Sequence, residues 1–210
     1  RDAQESRGLG DVYKRQITAL DEEGKAKFSG YKVLDLEYEV PFLAHATLEP
    51  MNCTADVKEK FCEVWVPTQN QSKSMDVTKE ITNLDEEKIK IHTTILGGGF
   101  GRRSETDFVE QAVSISKMVK KPVQLTWMRE EDIQHDFYRP ACISRFQISL
   151  DKDGLPLKWR NQLAGASILK RFVPAMGWFG FDPTSTEGAK ELPYSIPDFD
   201  FDYSLVDSGI

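Results

Sequence analysis

The sequence predicts a mixed α/β (α+β) fold in which crossover strand-helix-strand units are combined with additional antiparallel strands. Three observations support this class. Two apolar runs with a helical segment between them lie between Phe61 and Leu96, which favours a crossover with parallel strands. An amphipathic helix follows from Phe108 to Val119. Two later strand-like runs are joined by Asp151–Gly154, a turn typical of an antiparallel hairpin.

The composition is that of a folded protein with a buried core. The chain has 210 residues, 40% of them hydrophobic, and a formal net charge of -7. That charge argues against a nucleic-acid partner, because nothing would offset the phosphates over an extended surface. No apolar run approaches the roughly 18 residues that span a bilayer. Three cysteines without a C-x-x-C pair argue against an iron–sulfur cluster or a structural zinc site held by this chain alone.

The first sixteen residues lack the patterning of the rest of the chain. Residues 1–16 show neither helical nor strand periodicity, so we set them aside as an artefactual segment. Charged and apolar residues then alternate over Lys32–Val40, which predicts a half-buried strand stopped by Pro41. The next predicted elements are a strand at Phe61–Val66, a helix that reaches about Leu84 and a strand at Lys88–Leu96.

The helix that follows is the best specified element. Its apolar residues recur at intervals of four and three, which predicts one buried face made of Phe108, Ala112, Ile115 and Val119, with Val109 and Val113 beside them. The segment Ser104–Asp107 fits a capping box at its start. Cationic residues in the last turn and a following proline mark its end: Lys117, Lys120, Lys121 and Pro122.

Further strands are predicted towards the C-terminus, at Pro122–Met128, Cys142–Leu150, Leu157–Leu163 and Phe199–Val206. Residues 164–197 are rich in Gly, Pro, Trp and Phe with weak periodicity, which indicates a functional loop region. Five aromatic residues either line a substrate funnel or belong to the core: Trp159, Phe172, Trp178, Phe179 and Phe181. The chain stops directly after its last strand, and we therefore expect it to be a fragment.

A glycine-rich segment lies between a predicted strand and the capped helix. We call Gly97–Arg103 the glycine loop. Its glycines permit close backbone approach to a ligand, and free N–H groups at a helix start favour an anion, which Arg102 and Arg103 would reinforce. The spacing fits neither the dinucleotide motif nor the P-loop. A tightly packed structural turn remains an equally good interpretation of these residues.

Several ordered blocks resemble one known family. They are Tyr38–Ala55, Val64–Gln71, Gly97–Arg103, Thr126–Ile133 and His135–Pro140. In this order they resemble the molybdenum-binding large subunit of the xanthine dehydrogenase and aldehyde oxidase family. The likeness is greatest to the branch that contains the isoquinoline 1-oxidoreductase beta subunit. The resemblance implies that residues 17–40 are the tail of a preceding domain and that residues 41–210 are the first part of a molybdopterin-binding domain.

The resemblance also implies a cofactor and its contacts. Members of the family bind a molybdenum ion through the dithiolene of a pyranopterin, usually as the cytosine dinucleotide in bacteria. The metal then needs no direct ligand from the protein. The implied cofactor-binding residues are Gly97, Gly98, Gly99, Phe100, Gly101 and Arg102, with Phe100 and Gly101 beside the apical ligand of the metal.

The implied activity is hydroxylation with oxygen taken from water. Xanthine-specific members have Gly-Lys-Glu after the Phe-Gly pair, whereas this chain has Arg102-Arg103-Ser104, so an aldehyde or an N-heterocycle is the expected substrate. Arg139 matches a substrate-orienting arginine, although it also fits an exposed turn residue. Glu49 faces the cofactor or, more simply, caps a turn. The catalytic glutamate is expected beyond Ile210, so this chain alone should be inactive.

The implied partners are an iron–sulfur small subunit carrying [2Fe-2S] clusters and, in some members, a c-type cytochrome. The compartment stays open between cytoplasmic and periplasmic or membrane-associated, since any signal would lie upstream. Two rival hypotheses stay open as well. One is a non-catalytic module that binds phosphate or a nucleotide through the glycine loop, and the other is a structural paralogue that has lost the metal.

Overall fold

A computed structural model describes residues 29–171 and 182–206 of the chain. The chain divides into two compact units. The central unit comprises Ala44–Arg139, and the flanking unit joins the described residues up to Leu43 with those from Pro140 onwards. Each unit contains one four-stranded sheet, and helices accompany the strands, which confirms the mixed α/β class.

The helices and strands are numbered in chain order. The strands are β1 (Lys32–Val40), β2 (Asn52–Val57), β3 (Cys62–Val66), β4 (Ile89–Thr93), β5 (Val123–Thr126), β6 (Cys142–Leu150), β7 (Pro156–Gly165) and β8 (Asp198–Leu205). The helices are α1 (Gln71–Thr82), α2 (Asp107–Val119), α3 (Arg129–Gln134) and α4 (Pro183–Thr186).

The central unit contains a sheet in the order β4-β3-β2-β5. Strands β3 and β4 are parallel, as the crossover pattern predicts, and α1 connects them. Strand β2 pairs antiparallel with both β3 and β5. The glycine loop and α2 lie between β4 and β5 along the chain. Because the glycine loop follows β4 along the chain, the position of β4 in the sheet fixes the start of the loop.

One face of this sheet forms the core of the unit. Alternate residues of β2 and β3 are buried, because successive side chains of a strand point to opposite faces. They pack with α2, where Phe108, Val109, Ala112 and Val113 are fully buried. The buried strand residues in this cluster are Cys53, Ala55, Val57, Cys62, Val64, Val66 and Ile89.

Helix α2 has the predicted extent, but its buried face is rotated from the predicted one. Phe108 and Ala112 are buried as expected, whereas Ile115 is half-buried and Val119 is 50% exposed. Val109 and Val113, which the sequence predicts beside that face, are fully buried, and Ser116 joins them. Ser116 belongs to this face because its hydroxyl accepts the N–H of Val57 over 3.0 Å, a contact that apolar periodicity does not reveal.

The capping-box prediction for α2 is wrong. Thr106 is the N-cap, and its side chain makes no capping hydrogen bond. Ser104 lies in a 3₁₀ turn, Arg102–Ser104, which joins the glycine loop to the helix. The Glu105 carboxylate instead lies 3.1 Å from the Lys73 ammonium of α1. The 3₁₀ turn therefore occupies the positions that the capping box would need.

The flanking unit contains a sheet in the order β1-β6-β7-β8. Strands β1, β6 and β7 pair antiparallel in succession, and β8 lies parallel to β7. Asp151 closes the predicted hairpin between β6 and β7, because its carboxylate accepts the N–H groups of Asp153 and Leu155. The predicted strands of this unit thus all form.

Strand β1 differs from its prediction in burial. All its residues except Leu34 are exposed, so the expectation of a half-buried strand is wrong. Within the described ranges, Leu36 and Val40 on one face are 38% and 42% exposed, while Asp35 on the other face pairs with Arg145 of β6. The strand is held by its backbone pairing with β6 along its whole length. The assignment of residues 17–40 to a preceding domain stays a prediction.

The loop region predicted at residues 164–197 is described only in part. The Asp182 carboxylate connects a 3₁₀ turn to the short helix α4, since it accepts the N–H groups of Leu169 and Thr184. Trp159 lies on β7 and packs edge-on against Phe146. The other aromatic residues considered for a funnel, Phe172, Trp178, Phe179 and Phe181, lie outside the described residues. Within the described ranges, no helix is long and apolar enough to cross a membrane.

Candidate functional site

The glycine loop connects β4 to α2 in the central unit, and two side chains from other loops hold it. The N–H of Gly97 donates to Oε2 of Glu49 over 2.6 Å. The N–H of Gly101 donates to Oε1 of Gln69 over 3.0 Å. Glu49 precedes β2 and Gln69 follows β3, so the sheet positions the backbone from which both side chains extend. The loop is thus fixed at Gly97 and again at Gly101.

Close packing requires glycine at Gly97 and favours it at Gly99. A Cβ atom on Gly97 would lie 2.5 Å from Cβ of Glu49, and one on Gly99 would lie 2.4 Å from Oε1 of Gln69. Gly101 differs, because a Cβ atom there would meet nothing within 4 Å, although its φ of +97° disfavours other residues. One side of the loop is therefore packed against the protein, and Gly101 borders open space.

Three consecutive backbone N–H groups of the loop, those of Gly98, Gly99 and Phe100, have no hydrogen-bond acceptor among the described residues. We call them the loop donors. Phe100 has a positive φ of 53°, and its side chain is 66% exposed. Unpaired backbone donors are uncommon in folded proteins unless water or a ligand accepts from them. Phe100 is exposed and Gly98 half-buried, whereas Gly99 is buried, so Gly98 and Phe100 are the donors most open to a polar ligand.

The two arginines of the loop do not face outwards. Arg103 is fully buried, and its guanidinium donates to the carbonyl oxygens of Gly98 (2.8 Å) and Glu49 (2.6 Å). It also lies 3.1 Å from Oε2 of Glu49. Burial lowers the pKa of Arg103, and the charge of Glu49 opposes that effect. Arg103 thus connects the glycine loop to the segment before β2.

Arg102 is buried in a second ion-pair cluster. Its guanidinium lies 2.8 Å from the carboxylate of Asp107 and 3.1 Å from that of Asp136. It also packs over the rings of Trp127 and Phe137, at 5.5 and 5.0 Å from their centroids. Even its backbone N–H is used, by the carbonyl of Gly99.

These contacts correct the sequence-based expectation for the two arginines. Arg102 and Arg103 do not reinforce an anion site with their guanidinium groups, because carboxylates and carbonyls of the protein already bind them. The assignment of the glycines, Phe100 and Arg102 to a cofactor stays a prediction. Among these residues, Gly98, Gly99 and Phe100 have backbone N–H groups without an acceptor in the described part of the chain, and all three lie in the middle of the loop.

The pKa values of Asp136 and Asp132 are shifted in opposite directions. Burial tends to raise the pKa of Asp136, but hydrogen bonds from His45 and the charge of Arg102 outweigh it and hold that pKa below its usual value. Burial raises the pKa of Asp132, and the neighbouring Arg129 offsets this only in part. Arg129 also donates to the carbonyls of residues 47 and 48, at 2.6 and 3.0 Å.

Sequence reasoning does not identify most of these supporting residues. Gln69, His45, Arg129 and Asp136 all lie within the blocks that carry the family resemblance, which is the one signal that could have found them. Arg139 is exposed, and its role towards a substrate stays a prediction. In the part of the chain that the structure describes, no group of three or more His, Cys, Asp or Glu side chains could hold a metal ion.

Comparisons with known proteins agree with the resemblance. Residues 10–178 match the family model of the molybdopterin cofactor-binding domain. A membrane-bound aldehyde dehydrogenase (pyrroloquinoline-quinone) of Gluconacetobacter polyoxogenes is 33% identical over 124 residues, which are 59% of this chain and 16% of that protein. The isoquinoline 1-oxidoreductase subunit beta of Brevundimonas diminuta is 30% identical over 142 residues, which are 67% of this chain and 17% of that protein.

A solved structure shares the fold. The aldehyde oxidoreductase of Desulfovibrio gigas superposes with a TM-score of 0.62 and 16% identity, over 85% of this chain and 19% of that one. The chain therefore spans less than a fifth of the length of each of these three proteins. The family prediction is confirmed, because the family model covers most of the chain. This chain belongs to the family of molybdopterin cofactor-binding domains.

Proposed function

We propose that this chain binds a molybdenum-pyranopterin through the glycine loop, as part of a hydroxylase that oxidises aldehydes or N-heterocycles with oxygen from water. The observation that carries the proposal is the set of loop donors, which find no acceptor in the described part of the chain. Because Arg102 and Arg103 are bound internally, recognition at this loop relies on backbone donors. Such donors suit an oxygen ligand or a phosphate that approaches closely.

The residues present fit this cofactor. The packed side of the loop, at Gly97 and Gly99, has no room for a Cβ atom, while Gly101 borders open space. When bound, the cofactor supplies a molybdenum ion held by its own dithiolene sulfurs, which provides Lewis acidity and two-electron redox chemistry. The chain's task is to bind and orient that group. Its backbone donors bind, and Glu49 and Gln69 keep the loop in place.

The substrate class rests on the relatives and on one departure from the purine-oxidising members. The names of the two curated relatives refer to an aldehyde and to isoquinoline. The sequence Arg102-Arg103-Ser104 replaces the Gly-Lys-Glu of xanthine-specific members, and both arginines are buried. We extend the proposal to the cytosine dinucleotide form of the cofactor and to an iron–sulfur partner subunit. A c-type cytochrome and a substrate-orienting role for Arg139 belong to the same proposal.

Metal and nucleotide analysis tests the function. The protein that carries this sequence is purified from a host that makes the cofactor, and molybdenum, released cytosine nucleotide and pyrroloquinoline quinone are quantified. We expect near-stoichiometric molybdenum and nucleotide in the unmodified protein. Gly101→Trp should abolish both, since the new side chain fills the open space beside the loop.

Gly154→Trp is the matched control. Gly154 has a similar positive φ of +83° and also faces open space, but it lies in the hairpin turn of the flanking unit. This variant should keep its molybdenum. Protein that is folded and free of molybdenum, yet binds phosphate, a nucleotide or the quinone, would contradict the proposal and favour the binding-module alternative.

A further inference from the structure

Glu49 contacts both ends of the glycine loop. At the first end, its carboxylate accepts the N–H of Gly97 over 2.6 Å, and its own N–H donates to the carbonyl of Gly97 over 3.2 Å. At the other end, its carbonyl and its carboxylate lie 2.6 and 3.1 Å from Nη2 of Arg103. Asn52 donates to the second carboxylate oxygen over 2.8 Å. One residue thus connects the beginning and the end of the loop.

We propose that Glu49 is a positioning residue for the cofactor, whose carboxylate keeps the loop donors oriented towards their ligand. The inference rests on the proposed function and deepens it. Glu49 itself lies on the packed side of the loop, against Gly97, so it acts through the backbone. This role differs from that of a turn cap, because its contacts reach residues 48 and 54 positions away along the chain.

The charge of Glu49 matters because of Arg103. Within the described ranges, the other acceptors of the buried Arg103 guanidinium are neutral carbonyl oxygens. Removing the carboxylate would leave a buried cation without that anionic partner, which is costly in a protein interior. The pKa of Glu49 is lowered although burial opposes this, by the Gly97 and Asn52 hydrogen bonds and by Arg103. The carboxylate therefore stays ionised at neutral pH.

Two substitutions separate the contributions of the carboxylate. Glu49→Ala removes the side-chain contacts to Gly97, Arg103 and Asn52. Glu49→Gln keeps an acceptor for the N–H of Gly97 but removes the charge that faces Arg103. Glu63→Ala is the matched control, since Glu63 is in the same unit, has a side chain exposed to the same degree (34% against 35%) and also pairs with one basic side chain, that of His92.

The experiment measures two quantities in the protein that carries this sequence. Hydrogen exchange resolved to single amides reports the Gly97 N–H in cofactor-free protein, and molybdenum per chain after dialysis reports retention. We expect Glu49→Ala to speed exchange at Gly97 and to lower retention, each by about tenfold, the size expected for losing a charge-assisted hydrogen bond. Glu49→Gln should restore exchange at Gly97 and recover retention in part. Glu63→Ala should change neither quantity.

Retention in Glu49→Ala equal to that of the unmodified protein would overturn the inference, as would an equal loss in Glu63→Ala. If Glu49→Ala does not fold, Glu49→Gln decides, and full retention with normal exchange at Gly97 would overturn the role of the charge. If the unmodified protein holds no molybdopterin, the proposed function fails by itself. In that case, exchange at Gly97 that is the same in Glu49→Ala as in the unmodified protein would still overturn the positioning of the loop by Glu49.

Discussion

The sheets of the two units are stabilised by different means. In the central unit, alternate side chains of β2 and β3 are buried beneath helices in one apolar cluster. In the flanking unit, the corresponding cluster of buried residues among those described contains only Ala141, Ile143, Ala164 and Val206. Cross-strand ion pairs are prominent there instead, among them Asp35 with Arg145, Arg160 with Asp202 and Lys158 with Asp198.

This difference indicates how each unit responds to change. Apolar burial does not depend on charge screening, and the loss of a buried side chain leaves a cavity. Exposed ion pairs are screened by salt and contribute little individually. The central unit also contains buried ion pairs beside the glycine loop, which behave like neither case, because removing one partner leaves a buried charge uncompensated.

The largest effect is expected in the core of the central unit. Phe108→Ala removes a fully buried ring from α2 and should lower the free energy of unfolding by about 3–5 kcal/mol. Urea denaturation followed by circular dichroism measures it. Met118→Ala on the same helix is the control, since Met118 is 72% exposed, and its effect should stay within about 0.5 kcal/mol. Equal effects for the two would contradict the burial pattern.

The next largest effect is expected in the buried cluster at Arg102. Asp136→Asn removes a carboxylate whose side chain is 1% exposed, and it should lower the free energy of unfolding by about 3 kcal/mol at pH 7. Because the pKa of Asp136 is lowered in the folded state, its contribution is present above the unfolded pKa and is lost as the pH falls through the folded one.

Urea denaturation of the unmodified protein and of Asp136→Asn across the acid range checks this pH dependence. The difference in stability between the unmodified protein and Asp136→Asn should narrow below about pH 4. Asp76→Asn, at an exposed position of α1, is the control and should show only a small difference. A difference that widens on acidification would show that Asp136 does not stabilise the folded state as an anion.

The smallest effect is expected in the flanking unit. Asp35→Asn breaks a pair whose Arg145 nitrogen lies 2.7 Å away, but the Asp35 side chain is 49% exposed. The free energy of unfolding should fall by about 0.5 kcal/mol at low salt, and the difference should vanish near about 1 M NaCl. Paired urea titrations at the two salt concentrations measure it. A loss above about 2 kcal/mol that persists in salt would contradict the account of this sheet.

Periodicity in the sequence predicts the elements that bury one face. Strands β3 and β6 and helix α2 are predictable because long apolar side chains recur at a clear interval. Strand β2 is not, since its buried positions include the small residues Cys53 and Ala55, which give a weak signal. Helix α3 is not either, because its six residues are polar apart from Ile133 and show no apolar face.

The site could be predicted only as a backbone feature. Consecutive glycines between a strand and a helix indicate close approach to a ligand wherever they occur. The direction of an arginine side chain is a different matter, since it also depends on carboxylates that are remote along the chain. Asp107, five residues after Arg102, is a local partner. Arg103 contacts Glu49, and Arg102 contacts Asp136. No local pattern distinguishes such an internal pair from a cation that binds a ligand.

The most direct test of the central claim is hydrogen exchange at the three loop donors. In the protein that carries this sequence, exchange at Gly98, Gly99 and Phe100 is compared with and without bound molybdopterin. The account predicts that exchange at these amides slows by at least about tenfold when the cofactor is bound. The Gly154 N–H, which already donates to Asp151 in the hairpin turn, should not change. Identical exchange at the three loop amides in both states would contradict the claim that they bind the cofactor.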